Sequence, residues 1–324
     1  MRVALPVVLL LLTALSRPLH AESPQATTTF SVPDANLPDP LVLVAYGDMR
    51  FTETTETGAA NPGARQALVA KIAEEKPAVI FINGDIPWHG VATDYAVFRH
   101  ETRRWRERQL RVYPALGNHE FSACLEPACL ERWWSAFPEL RGRRWYSVAI
   151  GSKVVGIDLD TDTSLLPGSP QRIWLESQVA GLDRLVRLVL IIMHHPAVAD
   201  VQSTLQTDHN PRPNETTLAD YLKTVAPQSA ARFVVSAGHI HNYERFSRDG
   251  VTYLVSGGGG AKPYEVERTP ADLYQDSEFP NYHYVRFELR GNTLLGEMIR
   301  LSDYSAPMPG QWQTRDRFEI TLRP

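Results

Sequence analysis

Residues 231–241, ARFVVSAGHIH, join a short apolar run to two histidines. The run at 231–237 ends at Gly238, and His239 and His241 follow at once. An apolar run of this length that is closed by glycine is typical of a buried β-strand. The stretch therefore predicts a strand whose carboxyl end presents two imidazoles.

Four other apolar runs end in the same way, each followed by side chains that can bind a metal. They are 41–46 before Gly47-Asp48, 77–83 before Gly84-Asp85, 112–116 before Gly117-Asn118-His119-Glu120, and 188–193 before His194-His195. Stretches of helical period lie between the runs, and this alternation predicts a parallel sheet. Ligands bind beyond the carboxyl ends of such strands, so we expect these side chains to converge on one crevice.

The side chains that follow the runs are imidazoles, carboxylates and one carboxamide. This mixture suits zinc, iron, manganese or nickel, whereas calcium and magnesium prefer oxygen ligands alone and copper(I) prefers sulfur. One carboxylate can bridge two ions, and ions about 3.5 to 4 Å apart hold the attacking and the leaving oxygen of a phosphoryl displacement. The residues thus point to metal-dependent hydrolysis of a phosphate ester.

In their order and approximate spacing, the five motifs resemble those of the calcineurin-like metallophosphoesterases. Residues 238–245, GHIHNYER, followed by 253–260, YLVSGGGG, look most like the purple acid phosphatase branch. The resemblance implies an α/β fold, a four-layer sandwich in which two mixed β-sheets are flanked by helices. We expect this domain to span residues 41–302.

The resemblance also implies which residues bind metal. It assigns Asp48, Asp85 and His241 to a first ion, and Asp85, Asn118, His194 and His239 to a second, with Asp85 bridging. His194 is preferred to His195 because the family's ligand stands two residues before a proline, here Pro196. The cofactors implied are one or two divalent or trivalent ions of zinc, iron or manganese.

The remaining roles implied concern the reaction itself. His119 would act near the leaving group as an acid or a hydrogen-bond donor. Glu120 would hydrogen-bond to His119 and fix the orientation of its ring, as neighbouring carboxylates commonly do at metal sites. Water activated by the metal would attack phosphorus.

The chain departs from the family at the first ion. Most members have Asp-x-His in the first motif, but the third position here is Arg50, whose guanidinium has no lone pair to give. Purple acid phosphatases have a tyrosine ligand three residues after the second aspartate, where this chain has Trp88. Two interpretations of Arg50 stay open. In the first, the guanidinium of Arg50 binds substrate phosphate, either beside a single ion or beside a weakly held first ion whose shell water completes. In the second, Arg50 points away from the site and pairs with an exposed carboxylate.

The first 21 residues predict export. Arg2, the apolar stretch 3–15 and the small-residue ending at Ala21 are typical of a secretory signal. We therefore expect a periplasmic or secreted protein without a membrane span, since no later segment reaches 18 apolar residues. Residues 22–40, rich in Ser, Thr, Pro and Ala, predict a flexible leader.

Composition and cysteine content agree with an exported enzyme. The 324 residues are 43% hydrophobic and carry a formal net charge of −4, which argues against a nucleic-acid scaffold or a membrane-surface binder. No protein partner is evident from the sequence. The two cysteines, Cys124 and Cys129, are five positions apart, and an oxidising compartment favours a disulfide over two free thiols.

Other segments complete the expected domain. Helices are predicted at 64–76 and 173–185, and hairpins at 145–159 and 284–301. Loops at 52–65 and 200–217 would overhang the site; His209 in the second is more simply a surface histidine and is left out of the predicted site. Residues 303–324 form an extension in which 317–322 could add a last strand.

The predicted function is hydrolysis of a small-molecule phosphate ester, with phosphomonoesters preferred because of the resemblance at 238–245. A phosphodiesterase or nucleotidase of the same family is an alternative, since specificity lies in loops that sequence does not reveal. A catalytically weak relative that binds a phosphorylated ligand through Arg50 also stays open. The missing first-site ligands favour it, and retention of the other ligands argues against it.

Overall fold

The computed structural model describes residues 28–205, 209–303 and 311–323. The predicted signal segment, 1–21, lies outside the described residues. Two β-sheets pack face to face, and helices cover the outer face of each, so that the layers run helix, sheet, sheet, helix. The predicted four-layer α/β sandwich with two mixed sheets is confirmed.

Sheet A has seven strands and sheet B has six. In spatial order, sheet A contains β1 (Phe30–Val32), β5 (Tyr146–Ile150), β6 (Val154–Asp158), β7 (Leu188–Ile192), β8 (Arg232–Ala237), β10 (Val251–Ser256) and β9 (Tyr243–Arg248). Sheet B contains β13 (Trp312–Thr321), β12 (Thr293–Leu301), β11 (His283–Arg290), β2 (Leu41–Tyr46), β3 (Val79–Ile82) and β4 (Arg111–Pro114).

Each sheet combines parallel and antiparallel pairs, and in sheet B the parallel strands form one half of the sheet, up to the edge at β4. Strands β2, β3 and β4 run parallel, as do β6, β7 and β8. All residues of β2 and of β7 are buried. Strands covered on both faces need apolar side chains on both sides, which is why these segments are continuous apolar runs rather than alternating ones.

Six α-helices are described, and they begin where the sequence supplies starting signals. They are α1 (Pro62–Glu75), α2 (Ala92–Glu101), α3 (Arg103–Glu107), α4 (Glu126–Ala136), α5 (Pro170–Ala180) and α6 (Pro213–Val225). The Asn61 side chain accepts a hydrogen bond from the Ala64 N–H at the start of α1, and Ser169 does the same for α5. Proline occupies the first position of both helices, where its missing N–H costs nothing. Of the helices described, none is long and apolar enough to cross a membrane.

Three apolar layers hold the sandwich together. Leu43 and Phe81 of sheet B meet Leu190 and Val234 of sheet A between the sheets. Helices α1 to α4 pack on the outer face of sheet B, and α5 and α6 pack on the outer face of sheet A. Cys124 and Cys129 form a disulfide where α4 begins.

The structure corrects three expectations about the elements. The five runs that precede the candidate ligands belong to two sheets rather than one. Residues 30–32 of the predicted flexible leader form β1, an edge strand parallel to β5. The extension does contain the last strand that was expected there, but this strand, β13, is ten residues long, begins earlier than residue 317 and pairs with β12 in sheet B.

Candidate metal centre

The candidate ligands meet where the carboxyl ends of the two sheets' central strands come together. Asp48, Asp85 and Asn118 follow β2, β3 and β4 of sheet B, each within four residues of the strand end. His194 follows β7, and His239 and His241 follow β8, both of sheet A. The Asn83 side chain crosses the junction and donates hydrogen bonds to Ser236 Oγ and to the Ala237 carbonyl, both at 3.1 Å.

Four of the predicted ligands surround one point. The Nε2 atom of His194 lies 2.9 Å from Asn118 Oδ1, 3.3 Å from Asp85 Oδ1 and 3.2 Å from His239 Nδ1. Atoms bound about 2.1 Å from a common ion lie about 3 to 3.5 Å from one another. The three distances from His194 Nε2 agree with donor atoms that share one metal ion.

The other three predicted ligands form a second group that shares Asp85. Ligand atoms of Asp48, Asp85 and His241 lie within 4.8 Å of one another, and all three residues are buried. His241 Nε2 stands 3.5 Å from Asp48 Oδ1 and makes no hydrogen bond with any described residue. A buried imidazole nitrogen without a hydrogen bond is what a metal ligand looks like before the ion binds, because burying an unpaired polar atom costs free energy.

Backbone carbonyls set which nitrogen of each histidine faces the centre. His194 Nδ1 donates to the Asn83 carbonyl at 2.9 Å, and His241 Nδ1 donates to the Lys262 carbonyl at 2.7 Å. A carbonyl can only accept, so the proton of each ring lies on Nδ1 and the lone pair of Nε2 faces inward.

The loops that carry the ligands adopt unusual backbone conformations. Asp48, Asp85 and His239 have φ values of 63°, 56° and 69°, in the left-handed region that L-residues avoid at a cost of about 1 to 3 kcal/mol each. The glycines of the motifs allow the close approach. A Cβ on Gly117 would lie 2.5 Å from Asp85 Oδ1, and one on Gly238 would lie 2.4 Å from Asp48 Oδ2.

The electrostatic environment keeps the ligands in metal-binding forms. Burial raises the pKa of Asp85, but favourable interactions with His194, His119 and Arg50 outweigh it and hold that pKa well below its usual value. Burial lowers the pKa values of His239 and His241. The carboxylate is therefore ionised and these imidazoles are neutral near neutral pH, the forms that bind metals.

Arg50 faces the centre. Its Nη2 lies 3.5 Å from Asp85 Oδ2, its side chain is 11% exposed, and its guanidinium stacks over the Trp88 ring at 4.9 Å. The interpretation in which Arg50 points away to an exposed carboxylate is wrong for this geometry. Arg50 and Trp88, the two departures from the family pattern, contact each other beside the first ligand group.

His119 lies at the centre, but Glu120 does not orient it. His119 Nε2 is 3.9 Å from Asp85 Oδ2, and its Nδ1 donates to the Trp88 carbonyl at 2.6 Å. Glu120 instead accepts from the backbone N–H groups of Gly117, Asp85 and Ile86 at 2.8, 3.1 and 2.9 Å. The predicted pairing of Glu120 with His119 is corrected, because the carboxylate is taken up by three backbone donors.

Three further residues enter the centre that the predicted site left out. The Tyr264 ring stacks on His241 with centroids 4.2 Å apart, and the His209 ring stacks on His239 at 4.9 Å. His195 lies beside His239 and contacts Thr161 Oγ1 through Nδ1 at 2.7 Å. Only the His194-His195 pair carried a sequence signal, since Tyr264 and His209 come from loops whose path no local pattern reveals.

A protein-family model described as calcineurin-like phosphoesterase matches residues 42–243. The match contains all six candidate ligands. No curated protein matches the chain.

Solved structures with the same fold are numerous. Purple acid phosphatase PPD1 from yellow lupin seeds aligns with a TM-score of 0.68 and 18% identity, over 92% of this chain and 55% of that chain. PhoD aligns at 0.61 and 13%, over 92% and 72%. A dimetal phosphatase from Danio rerio aligns at 0.57 and 15%, over 86% and 100%. At these identities the likeness shows the fold, and the chain spans about half the length of the lupin chain.

Proposed function

The chain belongs to the calcineurin-like phosphoesterase family, and we propose that it hydrolyses phosphate esters, with phosphomonoesters preferred, at one or two transition-metal ions. One observation carries the proposal: two sheets bring six ligand side chains to one point, with ligand atoms 2.9–3.5 Å apart around His194 and between His241 and Asp48. The lupin and zebrafish structures, which are named as a phosphatase and a dimetal phosphatase, agree with it.

The donor set suits zinc, iron or manganese. Asp85, Asn118, His194 and His239 would hold one ion, and Asp48, Asp85 and His241 would hold the other. When bound, the ions would activate water and neutralise phosphate charge. We assign the binding and orientation of the ester to the neighbouring side chains.

Arg50 is the side chain best placed to bind the phosphate group of the substrate. Its guanidinium lies beside Asp85 and is held against Trp88. A guanidinium pairs with phosphate oxygens through two parallel hydrogen bonds. A phosphomonoester has three non-bridging oxygens and a diester has two, so a monoester would offer one more oxygen with which Arg50 could pair beside the ions. This count supports the preference for monoesters.

His119 is the side chain suited to the leaving group. Its Nδ1 proton is committed to the Trp88 carbonyl, so donation from Nε2 requires the doubly protonated ring. Burial lowers the pKa of His119 below its usual value, and the charge of Asp85 offsets only part of this. A bound phosphate dianion would favour the protonated ring, which could then donate a proton to the departing oxygen.

We also propose that the protein works outside the cytoplasm. The apolar segment 3–15 and the ending at Ala21 support export. The disulfide between Cys124 and Cys129 supports it independently, since such bonds persist in oxidising compartments. Export predicts that the mature chain recovered outside the cytoplasm begins at Glu22, which amino-terminal sequencing would test.

Metal content and turnover together test the proposal. Metal per chain is measured by plasma mass spectrometry, and hydrolysis is measured with a chromogenic phosphomonoester and the matching diester. Asp85→Asn should lose metal and activity. Asp158→Asn, which alters a buried carboxyl group outside both ligand groups, should keep both.

Each outcome separates the candidate functions. Bound metal with faster monoester turnover supports the phosphomonoesterase. Faster diester turnover would favour the phosphodiesterase. If neither ester is hydrolysed after reconstitution with zinc, manganese and iron, the proposal that the protein is an enzyme is wrong. That result would favour a protein that binds a phosphorylated ligand through Arg50.

A further inference from the structure

A second group of buried acids lies outside the candidate metal centre. Asp200 follows β7 in the loop that begins with His194, Glu244 is the second residue of β9, and Asp272 lies in the loop between β10 and β11. Their carboxylate oxygens lie within 4.8 Å of one another. All three side chains are buried, at 3%, 0% and 1% exposure.

Two of these acids are held in place by hydrogen bonds. Asp200 accepts from the Thr269 N–H at 2.7 Å and from the Thr269 hydroxyl at 2.6 Å. Asp272 accepts from the N–H groups of Arg245 and Tyr274, both at 2.9 Å. Both of these bonds go to Asp272 Oδ1 and occupy its two lone pairs. Asp272 Oδ2 and the two Asp200 oxygens accept one bond each, so each keeps a lone pair that can bind a cation.

Glu244 is the unexplained member of the group. Its side chain is fully buried, and neither carboxylate oxygen accepts a hydrogen bond that meets ordinary geometry from a described residue. Burial and the charges of Asp272 and Asp200 raise the pKa of Glu244, and Arg268 and the Asp200 N–H offset only part of that rise. A carboxylate in this state needs a proton or a cation, because burying an unpaired charge is costly.

The charges near the three acids do not balance. Arg268 pairs with Asp272 and also donates to the Tyr243 carbonyl at 2.9 Å. One guanidinium among three carboxylates leaves a deficit of about two positive charges when all three are ionised. A divalent cation removes that deficit.

We propose that Asp200, Glu244 and Asp272 bind a calcium ion, at a site separate from the candidate metal centre. The donors are all oxygen, which calcium prefers, whereas zinc and iron favour ligand sets that include nitrogen, as at the other site. Calcium also accepts a flexible shell of six to eight oxygens, so carboxylates that already hold hydrogen bonds can take part.

The ion would fasten together three segments that hold the candidate metal centre. Asp200 stands six residues after His194, and Glu244 stands three residues after His241. The loop of Asp272 also carries Lys262, whose carbonyl orients His241, and Tyr264, which stacks on the His241 ring. Calcium at the acids would stiffen these segments without touching the reaction.

Calcium content tests the site directly. The purified protein is treated with a calcium chelator, equilibrated with buffered calcium and separated from free ion, and calcium per chain is measured by plasma mass spectrometry. The wild type should retain one more calcium ion than Glu244→Gln, which preserves the shape of the side chain and removes its charge. Equal calcium in the two proteins, or none in the wild type, would overturn the proposal.

Two control variants separate this site from the proposed function. Asp158→Asn removes another fully buried carboxyl group that lies in no such cluster of described residues, so it should bind calcium as the wild type does. Asp85→Asn disables the candidate metal centre and should also keep the calcium. Loss of calcium in Asp85→Asn but not in Glu244→Gln would place the ion at the metal centre and refute the separate site.

Thermal unfolding distinguishes calcium from a proton. Calcium at about 100 times its dissociation constant should raise the Tm of the chelator-treated wild type by roughly 5 °C. It should leave the Tm of Glu244→Gln unchanged, and magnesium should have a smaller effect on the wild type. If calcium does not change the Tm of the wild type, the acids hold a proton instead of the ion, and the proposal is wrong.

Discussion

Arg50 occupies the position at which most family members have a histidine ligand. Its guanidinium lies 3.5 Å from Asp85 and is largely buried, so it contributes a fixed positive charge beside the first ligand group. A charge-assisted hydrogen bond contributes about 1.5 to 3 kcal/mol. Removing a hydrogen bond that forms only with bound phosphate should weaken phosphate binding by the same free energy.

We predict that Arg50→Met lowers kcat/KM for a phosphomonoester about 10- to 100-fold, mainly through KM. Arg141→Met, at an exposed arginine that pairs with Glu131, is the matched control and should leave both constants unchanged. Arg50→His should in addition increase metal bound per chain. Unchanged KM in Arg50→Met would show that Arg50 does not bind the phosphate.

His119 should matter most when the leaving group is poor. A positioned proton donor accelerates such reactions by about 100- to 10,000-fold. His119→Asn should therefore reduce kcat for an alkyl phosphate by about this factor, and much less for a nitrophenyl phosphate, with metal content unchanged. An equal loss for both substrates would argue against proton donation.

His283 makes stability depend on pH. The ring is fully buried between Ser256 Oγ and the Asn281 carbonyl, and burial lowers its pKa to about 4. In the unfolded chain the pKa returns to about 6.5, so below that pH the unfolded state binds the extra proton and the folded state loses stability until about pH 4. The loss from this residue is about 2 to 3 kcal/mol at pH 4.5.

Urea denaturation of the wild type and of His283→Gln at pH 7.5, 6.0 and 4.5 measures this effect. The stability difference between the two proteins should change by about 2 to 3 kcal/mol in favour of the variant as the pH falls. A difference that does not depend on pH would contradict the assignment. Other titrating groups are common to both proteins and cancel.

At the scale of elements, Glu120 joins the loop after β3 to the loop after β4. It accepts from N–H groups of Asp85 and Ile86 in one loop and of Gly117 in the other. The two loops carry Asp85 and Asn118, so this contact sets the spacing of two candidate ligands. Glu120 is a positioning residue.

We predict that Glu120→Ala lowers the free energy of unfolding by about 3 kcal/mol or more, because three buried N–H groups lose their acceptor. Its metal affinity should fall as well, as measured by titration with zinc. Glu120→Gln keeps one acceptor oxygen and should lose less of both. Normal metal affinity in Glu120→Ala would show that the loops hold their positions without this carboxylate.

At the scale of the whole molecule, the candidate metal centre joins the two sheets. Sheet B supplies Asp48, Asp85 and Asn118, and sheet A supplies the three histidines His194, His239 and His241. A metal ion bound by both sets would link the sheets and favour the folded state, since the unfolded chain has no such site.

We predict that zinc or manganese at about 100 times its dissociation constant raises the Tm of metal-depleted protein by roughly 5 °C. The Glu244→Gln background is the appropriate one, because it removes the proposed calcium site and leaves the candidate metal centre unchanged. Adding Asp85→Asn to this background should abolish the shift. A shift that survives Asp85→Asn would mean that metal stabilises the protein elsewhere.

Sequence was sufficient for the elements whose signal is local. The run 41–46 coincides with β2, and the runs 188–193 and 231–237 lie within one residue of β7 and β8. A strand buried on both faces needs apolar side chains on both sides. Gly84, Gly117 and Gly238 stand where a Cβ would lie only 2.4 to 2.8 Å from a candidate ligand. Hence the strands and the side chains at their ends could be predicted from patterns a few residues long, whereas the four-layer fold and the assignment of ligands to two ions rested on the resemblance to a known family.

Only the tertiary structure could assign the strands to two sheets, because an apolar run carries no record of which sheet it joins. The tertiary structure was also needed to identify the partners of Glu120, whose carboxylate accepts hydrogen bonds from three backbone N–H groups rather than from His119. Tyr264, His209 and the cluster around Glu244 reach their positions through loops and contacts between residues distant in the chain. Local pattern determined which side chains stand at the ends of strands; long-range packing decided what those side chains touch, because contact geometry depends on the folded path of every segment between them.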